Sequence, residues 1–352
     1  MKTKSFLLFI FLSAHILQAQ KLEKDKNYFI SAIGFWNVEN LYDTLNDRWK
    51  NDEDFTPAGT NAWTGQRYKK KIDHLADVIG QMATDVTPDG LAIFGLCEIE
   101  NKNVVLDLVK SPRLKNRNYK VVHIEGPDVR GVDPSFVYNP VYFKLIKAVS
   151  YPVHLVTDSS HKTRDILVVS GFFRGEPLTV LVNHWPSRRG GELLSRPNRN
   201  GAAKVARRIA DSVIKANPQA KVAIMGDFND DPVNESIKKN LGTYGEISDA
   251  TDDKFYNPME PLNDKGIGTL AYNDNWNLFD QIIMNKPWLP TNYASWQYYA
   301  VRVFNKSFMK ADHGNFRGTP FHTYSGGVYT GGYSDHFPVF IVIAKEDVKK
   351  KS

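Results

Sequence analysis

One cysteine in 352 residues, Cys97, leaves the chain without the means for an internal disulfide, a cysteine-rich zinc site or a CxxC redox pair. Stability therefore has to come from an ordinary hydrophobic core, which a chain of this length can build. Long hydrophobic runs are also missing: the apolar stretch from Phe6 to Leu12 is too short to span a bilayer. There is no HExxH pair, no internal repeat and no low-complexity linker. An excess of one charge sign is nearly absent too, with 45 Lys and Arg against 39 Asp and Glu. What remains, 42% hydrophobic and 24% charged residues, excludes a collagenous or largely disordered chain.

The start of the chain reads as a targeting segment. Lys2 and Lys4 precede the apolar run, and Leu17 to Gln20 make a cleavage stretch, so residues 1–19 are expected to be a signal peptide cut near Ala19. No cysteine directly follows the apolar run, so a bacterial lipoprotein anchor is not expected. A secreted or periplasmic protein with no stable membrane anchor is expected. Its formal charge falls from +6 to +4 once Lys2 and Lys4 are gone, a mild basic bias compatible with a polyanionic substrate. Residues 28–346 read as one domain, and residues 347–352 as a solvated basic tail.

Within that domain short β-rich runs alternate with two amphipathic helices. Strands are expected over Tyr28 to Trp36, Leu91 to Leu96, Tyr119 to His123, Pro134 to Tyr138, Asp165 to Phe173, Leu178 to Val182, Lys221 to Met225, Leu278 to Met284 and Phe337 to Ile343. Tyr68, Ile72, Leu75, Ile79 and Met82 form one helical stripe, and Ala202, Val205, Ile209 and Val213 another. Many strands with few helices predict an α+β or layered α/β fold. From Tyr244 to Gly332 the chain is rich in Gly, Asn and aromatic residues. Trp288, Tyr293, Trp296, Tyr298, Tyr299, Phe304 and Phe308 are expected to pack over the sheets; stacking on bases or dipping into lipid is the alternative.

Polar residues fall at the ends of these strands: Asn37 after GFW, Glu98 after IFGLC, His184 after VLVN, Asp227 and Asn229 after VAIMG, and Asp335 with His336 before FPVFIVI. Strand ends hold side chains rigidly while staying open to solvent. Glu98, Asp335 and the amide of Asn37 offer hard oxygen ligands suited to Mg²⁺ or Mn²⁺.

The pieces GFWNVENLYD, GLCEIEN, RGVDPSFVY, TRDILVVSG, VNHWPSRRGGE, IMGDFNDDP, LFDQII and GGYSDHFPV resemble, in order, the endonuclease/exonuclease/phosphatase superfamily. The resemblance runs from Phe35 to Val339. It implies a four-layer sandwich, two mixed β-sheets face to face flanked by helices, with the site at one end of the sheets. It implies that Glu98 is the principal metal carboxylate, with Asn37, Asp227, Asn229 and Asp335 around it. It pairs Asp133 with His184 and Asp280 with His336. His336 and Asp227 are expected to activate water and stabilise phosphate, His184 to protonate the leaving oxygen, with exchange of the two histidine roles left open, and Asn229 to orient the phosphate. Arg164 and Arg130 are expected to bind phosphate oxygens, and Arg188 and Arg189 a second phosphate along a polymer. Cys97 stands where many members carry glutamine, a departure that bears on the hydrogen bond beside the metal and not on the metal site itself; the thiol is expected to be buried and inert. Pro134 directly after Asp133 stiffens the backbone there.

Substrate choice rests on finer signs. The Trp-Cys-Asp-Arg run of inositol polyphosphate 5-phosphatases and the WWDY-type run of abasic-site repair enzymes are both absent. The histidine after VLVN leans toward the deoxyribonuclease and sphingomyelinase branches, and the arginine-rich loop and net positive charge lean toward nucleic acid, so a metal-dependent endonuclease on DNA or RNA with little sequence preference is expected. The alternatives are hydrolysis of phospholipid head groups or small phosphate esters, and a non-catalytic binding module.

Overall fold

The protein is described from a computed structural model, over residues 22–348 apart from 159, 273, 274 and 315. The expected signal peptide, and the tail beyond residue 348, lie outside these residues. Along the chain the elements are β1 (Tyr28–Leu41), α1 (Gly65–Gln81), β2 (Ile93–Ile99), α2 (Lys102–Lys110), β3 (Lys120–His123), β4 (Asp133–Tyr138), β5 (Phe143–Tyr151), β6 (Ile166–Phe173) and β7 (Glu176–His184). There follow α3 (Glu192–Ala216), β8 (Lys221–Asp227), β9 (Thr243–Tyr244), β10 (Phe255–Tyr256), β11 (Leu270–Tyr272), β12 (Asn275–Asn277), β13 (Asp280–Met284), β14 (Gln297–Val303), β15 (Tyr324–Ser325), β16 (Val328–Tyr329) and β17 (Val339–Glu346).

Two large mixed sheets result. The first has the order β14-β17-β1-β2-β4-β3, and the second β5-β6-β7-β8-β13-β10-β9. The period-two alternation of each strand divides its residues between two faces. Ile33 and Phe35 of β1, Val180 and Val182 of β7, Ala223 and Met225 of β8, and Ile282 of β13 fill the space between the sheets. The intervening residues face outward under helices: Ala32 and Trp36 meet Ile72, Leu75 and Ile79 of α1, while Leu181, Val222 and Ile224 meet Ala202, Ala206 and Ile209 of α3. Both expected helical stripes are therefore the inner faces of the outer layers, and the architecture is the four-layer sandwich. Truncating an inter-sheet residue such as Ile282 to alanine costs about 2–5 kcal/mol through lost burial and the cavity left behind.

Gly95 shows how closely the sheets approach below the site. A Cβ there would lie 2.9 Å from both Met225 Sδ and Val182 Cγ1, which are packed core atoms with little room to retreat.

Three elements depart from the sequence expectation. The helix α2 follows Asn101, whose side chain accepts from the backbone N–H groups of Asn103 and Val104. The strand β5 is an edge strand with a bulge between Leu145 and Lys147, which erases its alternation. The aromatic segment contains β14, paired along β17, so Trp288, Tyr293, Trp296, Tyr298 and Phe304 are buried in the layers. Among the described residues no helix is long and apolar enough to cross a membrane.

Candidate active site

The same alternation that builds the inter-sheet core delivers the site. Residues 33, 35 and 37 of β1 share a face, as do 180, 182 and 184 of β7, 223, 225 and 227 of β8, and 280, 282 and 284 of β13. Asn37, His184, Asp227 and Asp280 thus continue the apolar columns to their open ends. Register completes the assembly: Asp227 is the partner of His184 on β7 and of Asp280 on β13. In the facing sheet Asn37 is the partner of Cys97, which puts Glu98 at the mouth.

Contacts across the gap follow. The Asn37 amide nitrogen donates to Glu98 Oε1 at 3.3 Å and to Asp227 Oδ2 at 3.0 Å, bridging the two sheets. Glu98 Oε2 accepts from the Asn40 backbone N–H at 2.8 Å. Glu98 and Asn229 both occupy left-handed backbone, at φ 63° and 51°. That conformation costs of order 1–3 kcal/mol at a non-glycine residue and is held where the surroundings enforce it. Strand alternation alone would turn Glu98 away from the face of Cys97; here its carboxylate lies beside Asn37 and His184.

The histidines differ. His336 Nδ1 lies 2.6 Å from Asp280 Oδ2, and its backbone is tied to β1, since its carbonyl accepts from Trp36 Nε1 at 2.9 Å and its N–H donates to Ser334 Oγ at 3.0 Å. Burial opposes its charged form, but Asp280, Asp335 and Asp227 outweigh it and raise the imidazole pKa well above its ordinary value. His184 Nε2 lies 3.8 Å from Glu98 Oε1 and 3.7 Å from Asp227 Oδ2. Its Nδ1 is buried with no hydrogen-bond partner. Burial, reinforced by Arg164, Arg130 and the charge on His336, pushes its pKa well below the ordinary value. Asp227 is raised, first by burial and then by Asp280, against the opposing pull of His336.

Several sequence expectations change. The Asp133–His184 pair does not form: Asp133 accepts from the Gly126 N–H at 2.8 Å through one oxygen, and its other oxygen is buried without a partner. Burial raises this carboxyl to about 6. The Asn37 amide oxygen accepts from the Glu39 N–H at 3.0 Å, which leaves it a second lone pair. Arg188 is not available for a second phosphate. It donates to the Asn229 carbonyl, Asp230, Asp231 and Asn234, and its guanidinium lies 4.5 Å from the Phe279 ring centroid. Arg189 is exposed on the same loop.

Arg164 does reach the site. Its guanidinium donates to the Trp185 carbonyl at 2.6 Å and to Asp128 at 3.3 Å, while Asn229 Nδ2 donates to the same carbonyl at 3.0 Å. Arg130 also binds Asp128 and is half exposed. Burial opposes ionisation of Asp128, but the two arginines outweigh it and hold its carboxyl low. Asp335 lies 4.0 Å from His336 Nε2 and is partly exposed.

Sequence reasoning passed over three supporting features. Glu39, two residues past Asn37, is buried and accepts from the Thr323 N–H at 2.6 Å, with the Lys71 ammonium 3.8 Å away. That ion pair anchors the segment leading to Asp335 and His336, and the spacing of Glu39 from Asn37 was its only signal. Asp128 joins the two arginines. The hairpin of β11 and β12 stands at the rim, where Trp276 stacks on Phe337 with centroids 6.1 Å apart and Tyr272 is exposed. A cleft lined by Glu39, Asn40, Phe55, Asn61, Thr323 and Tyr324 opens beside the Asn40–Glu98 hydrogen bond.

The chemistry of the donors fits a hard divalent cation. Glu98 and Asp335 present partly exposed carboxylates, and the only thiol, Cys97, is fully buried.

Comparison with known proteins agrees with this architecture. The chain matches the model of the Endonuclease/Exonuclease/phosphatase family over residues 32–345. No curated protein matches it. Among solved structures, the D. rerio TDP2 complex with single-strand DNA product aligns at TM-score 0.51 and 16% identity, over 89% of this chain and 98% of that one. The Bacteroides thetaiotaomicron mannosyl-6-phosphatase aligns at 0.54 and 13%, over 89% and 99%. The human Nocturnin catalytic domain with bound sulfate aligns at 0.52 and 12%, over 90% and 97%. At these identities the likeness is one of fold.

Proposed function

The chain belongs to the endonuclease/exonuclease/phosphatase family, and on that premise we propose that it is a secreted, divalent-metal-dependent phosphodiester hydrolase that cuts DNA or RNA with little base preference. The family supports hydrolysis of a phosphate ester. The observation that carries the reading is the meeting of Glu98, Asp227, His184 and the His336–Asp280 pair at one end of the sandwich, with the buried Arg164 beside them.

Hydrolysis breaks the bond from phosphorus to the leaving oxygen as a water oxygen attacks in line. The positively charged His336, oriented by Asp280, lies against the phosphate and gives a proton on Nε2 to an oxygen that gains charge. The uncharged His184, with Asp227, accepts the proton that the attacking water loses. This exchanges the roles first expected for the two histidines. Arg164 and Asn229, gathered on the Trp185 carbonyl, orient the phosphate oxygens. Glu98 and Asp335 would hold Mg²⁺ or Mn²⁺, which when bound neutralises phosphate charge and assists the leaving group.

Exposed Trp276, stacked on Phe337 next to His336, and exposed Tyr272 on the same hairpin favour nucleic acid, because an indole ring stacks on any base. The engagement of Arg188 by the loop after β8 favours a smaller substrate, and hydrolysis of small phosphate esters is the second reading. Nicking of supercoiled plasmid and cleavage of RNA, with Mg²⁺ or Mn²⁺ and with EDTA, tests the first. Turnover of sugar or inositol phosphates with nucleic acid untouched would replace it with the second.

A further inference from the structure

Cys97 shares the face of β2 that looks into the gap between the sheets, together with Ile93, and its register partner is Asn37. Its sulfur, a nitrogen of His184 and a carboxylate oxygen of Asp227 all lie within 4.8 Å of one another, and all three residues are buried. We propose that Cys97, His184 and Asp227 form a site for a thiophilic divalent cation of the zinc type, and that filling it shuts off hydrolysis. The inhibitory consequence rests on the catalytic reading of His184 and Asp227; the binding itself does not.

A sulfur, an imidazole nitrogen and a carboxylate oxygen, with water completing four positions, are a donor set that zinc takes. Zinc bonds of about 2.0–2.3 Å put tetrahedral ligands roughly 3.3–3.8 Å apart, so small side-chain rotations close the triangle. The imidazole faces Asp227 through Nε2, at 3.7 Å, in a side chain only 4% exposed. Mg²⁺, which demands oxygen donors, has little affinity for this trio and is left to the carboxylates at the mouth. One pocket therefore sorts two classes of cation, the hard ion by Glu98 and the softer one by Cys97. Binding breaks the S–H bond, releases that proton to solvent and forms the sulfur–metal bond, with no change of oxidation state. It also withdraws His184 and Asp227 from the attacking water.

Co²⁺ is the probe, because a thiolate bound to it gives an intense near-ultraviolet charge-transfer band. The chain has a single cysteine, so in the wild-type protein such a band reports Cys97 alone. The metal-free protein titrated with Co²⁺ should develop the band, Zn²⁺ should abolish it by competition, and Cys97→Ser should lack it. In plasmid nicking at saturating Mg²⁺, Cys97→Ser should need at least tenfold more Zn²⁺ for half inhibition, each protein being referred to its own zinc-free rate. Absence of the band in folded wild-type protein, or equal zinc sensitivity in folded Cys97→Ser, overturns the proposal. Should Cys97→Ser not fold, the wild-type spectrum decides by itself. Because that spectrum needs no substrate, its outcome is independent of whether nucleic acid is the substrate.

Discussion

His336 and His184 flank the same carboxylate, Asp227, at 3.9 Å and 3.7 Å, yet they are wired in opposite ways. His336 has Asp280 on the strand next to Asp227 to receive its Nδ1, and three acidic neighbours make it a cation. His184 has only a buried, unpartnered Nδ1 on that side, and burial, reinforced by two arginines, pushes its pKa well below the ordinary value. The reason is topological. Asp280 belongs to the sheet that carries Asp227, two strands from His184 and directly under the His336 segment, whereas Asp133 begins β4 of the other sheet with its carboxyl turned to Gly126. An oriented imidazolium needs its carboxylate placed by register. Proximity in the site is not enough. Under the proposed function, a cationic and a neutral imidazole on either side of one carboxylate separate an acid from a base without a large difference in side-chain type.

The contrast breaks most visibly if the histidines are removed one at a time. With the preferred nucleic acid, His336→Ala should lower kcat by about 10³-fold and His184→Ala by about 10²-fold, within the range for general acid–base groups. Equal losses would mean that the two stations share one role. Asp280→Asn comes next, with a loss of roughly 10–100-fold. Since Asp280 raises the His336 pKa, its removal lets the imidazolium lose its proton at lower pH. The alkaline limb of the kcat profile should therefore move to lower pH, and an unmoved limb would assign it to another group.

A smaller effect separates the two sides as substrate surfaces. Trp276 stacks on Phe337, next to His336, and Arg188 follows His184 on the loop after β7. Trp276→Ala should raise KM for single-stranded DNA by about fivefold, in keeping with the loss of one stacked base, and leave small phosphate esters unaffected. Arg188→Ala should not show that selectivity and should instead lower Tm, because the arginine holds Asp230, Asp231 and Asn234 together. The reverse result would restore Arg188 as a polymer contact.

What was legible in the sequence follows the same line. Strand ends could be read because apolar alternation carries straight into Asn37, His184, Asp227 and Asp280; the core and the site obey one period. The two long helices were legible by their stripes. The helix α2 had its signal, an Asn101 cap followed by Val104, Val105, Leu108 and Val109, but it is only 9 residues long. The strands β5 and β14 were hidden by an edge bulge and by aromatic residues that suit strand and loop equally. The Asp133–His184 pair and the free Arg188 were misplaced because a side chain's partner depends on which sheet its strand joins, and motif order does not encode that. Glu39 and Lys71 lie far apart in function from their neighbours in sequence, and only the tertiary pairing of Glu39 with Thr323 reveals their role.

Asp133 gives the finest test of the comparison, because it has the residue type of Asp280 without the partner. Its unfolded value is near the ordinary 3.8, and burial lifts it to about 6 in the fold. A raised folded pKa contributes stability that is fully present below 3.8 and is lost as pH rises through about 6. At pH 8 the wild-type chain therefore keeps an unpaired buried charge that Asp133→Asn removes, while an amide oxygen still accepts from the Gly126 N–H. The variant should be more stable than wild type at pH 8 by about 1–3 kcal/mol, with the advantage fading toward pH 4. Urea midpoints at the two pH values measure it. Its kcat should stay within roughly twofold of wild type, as for a group remote from proton transfer. A stability gain accompanied by a hundredfold loss of kcat would show that Asp133 does act through His184 in the working enzyme, and the asymmetry between the two stations would be a property of the resting site alone.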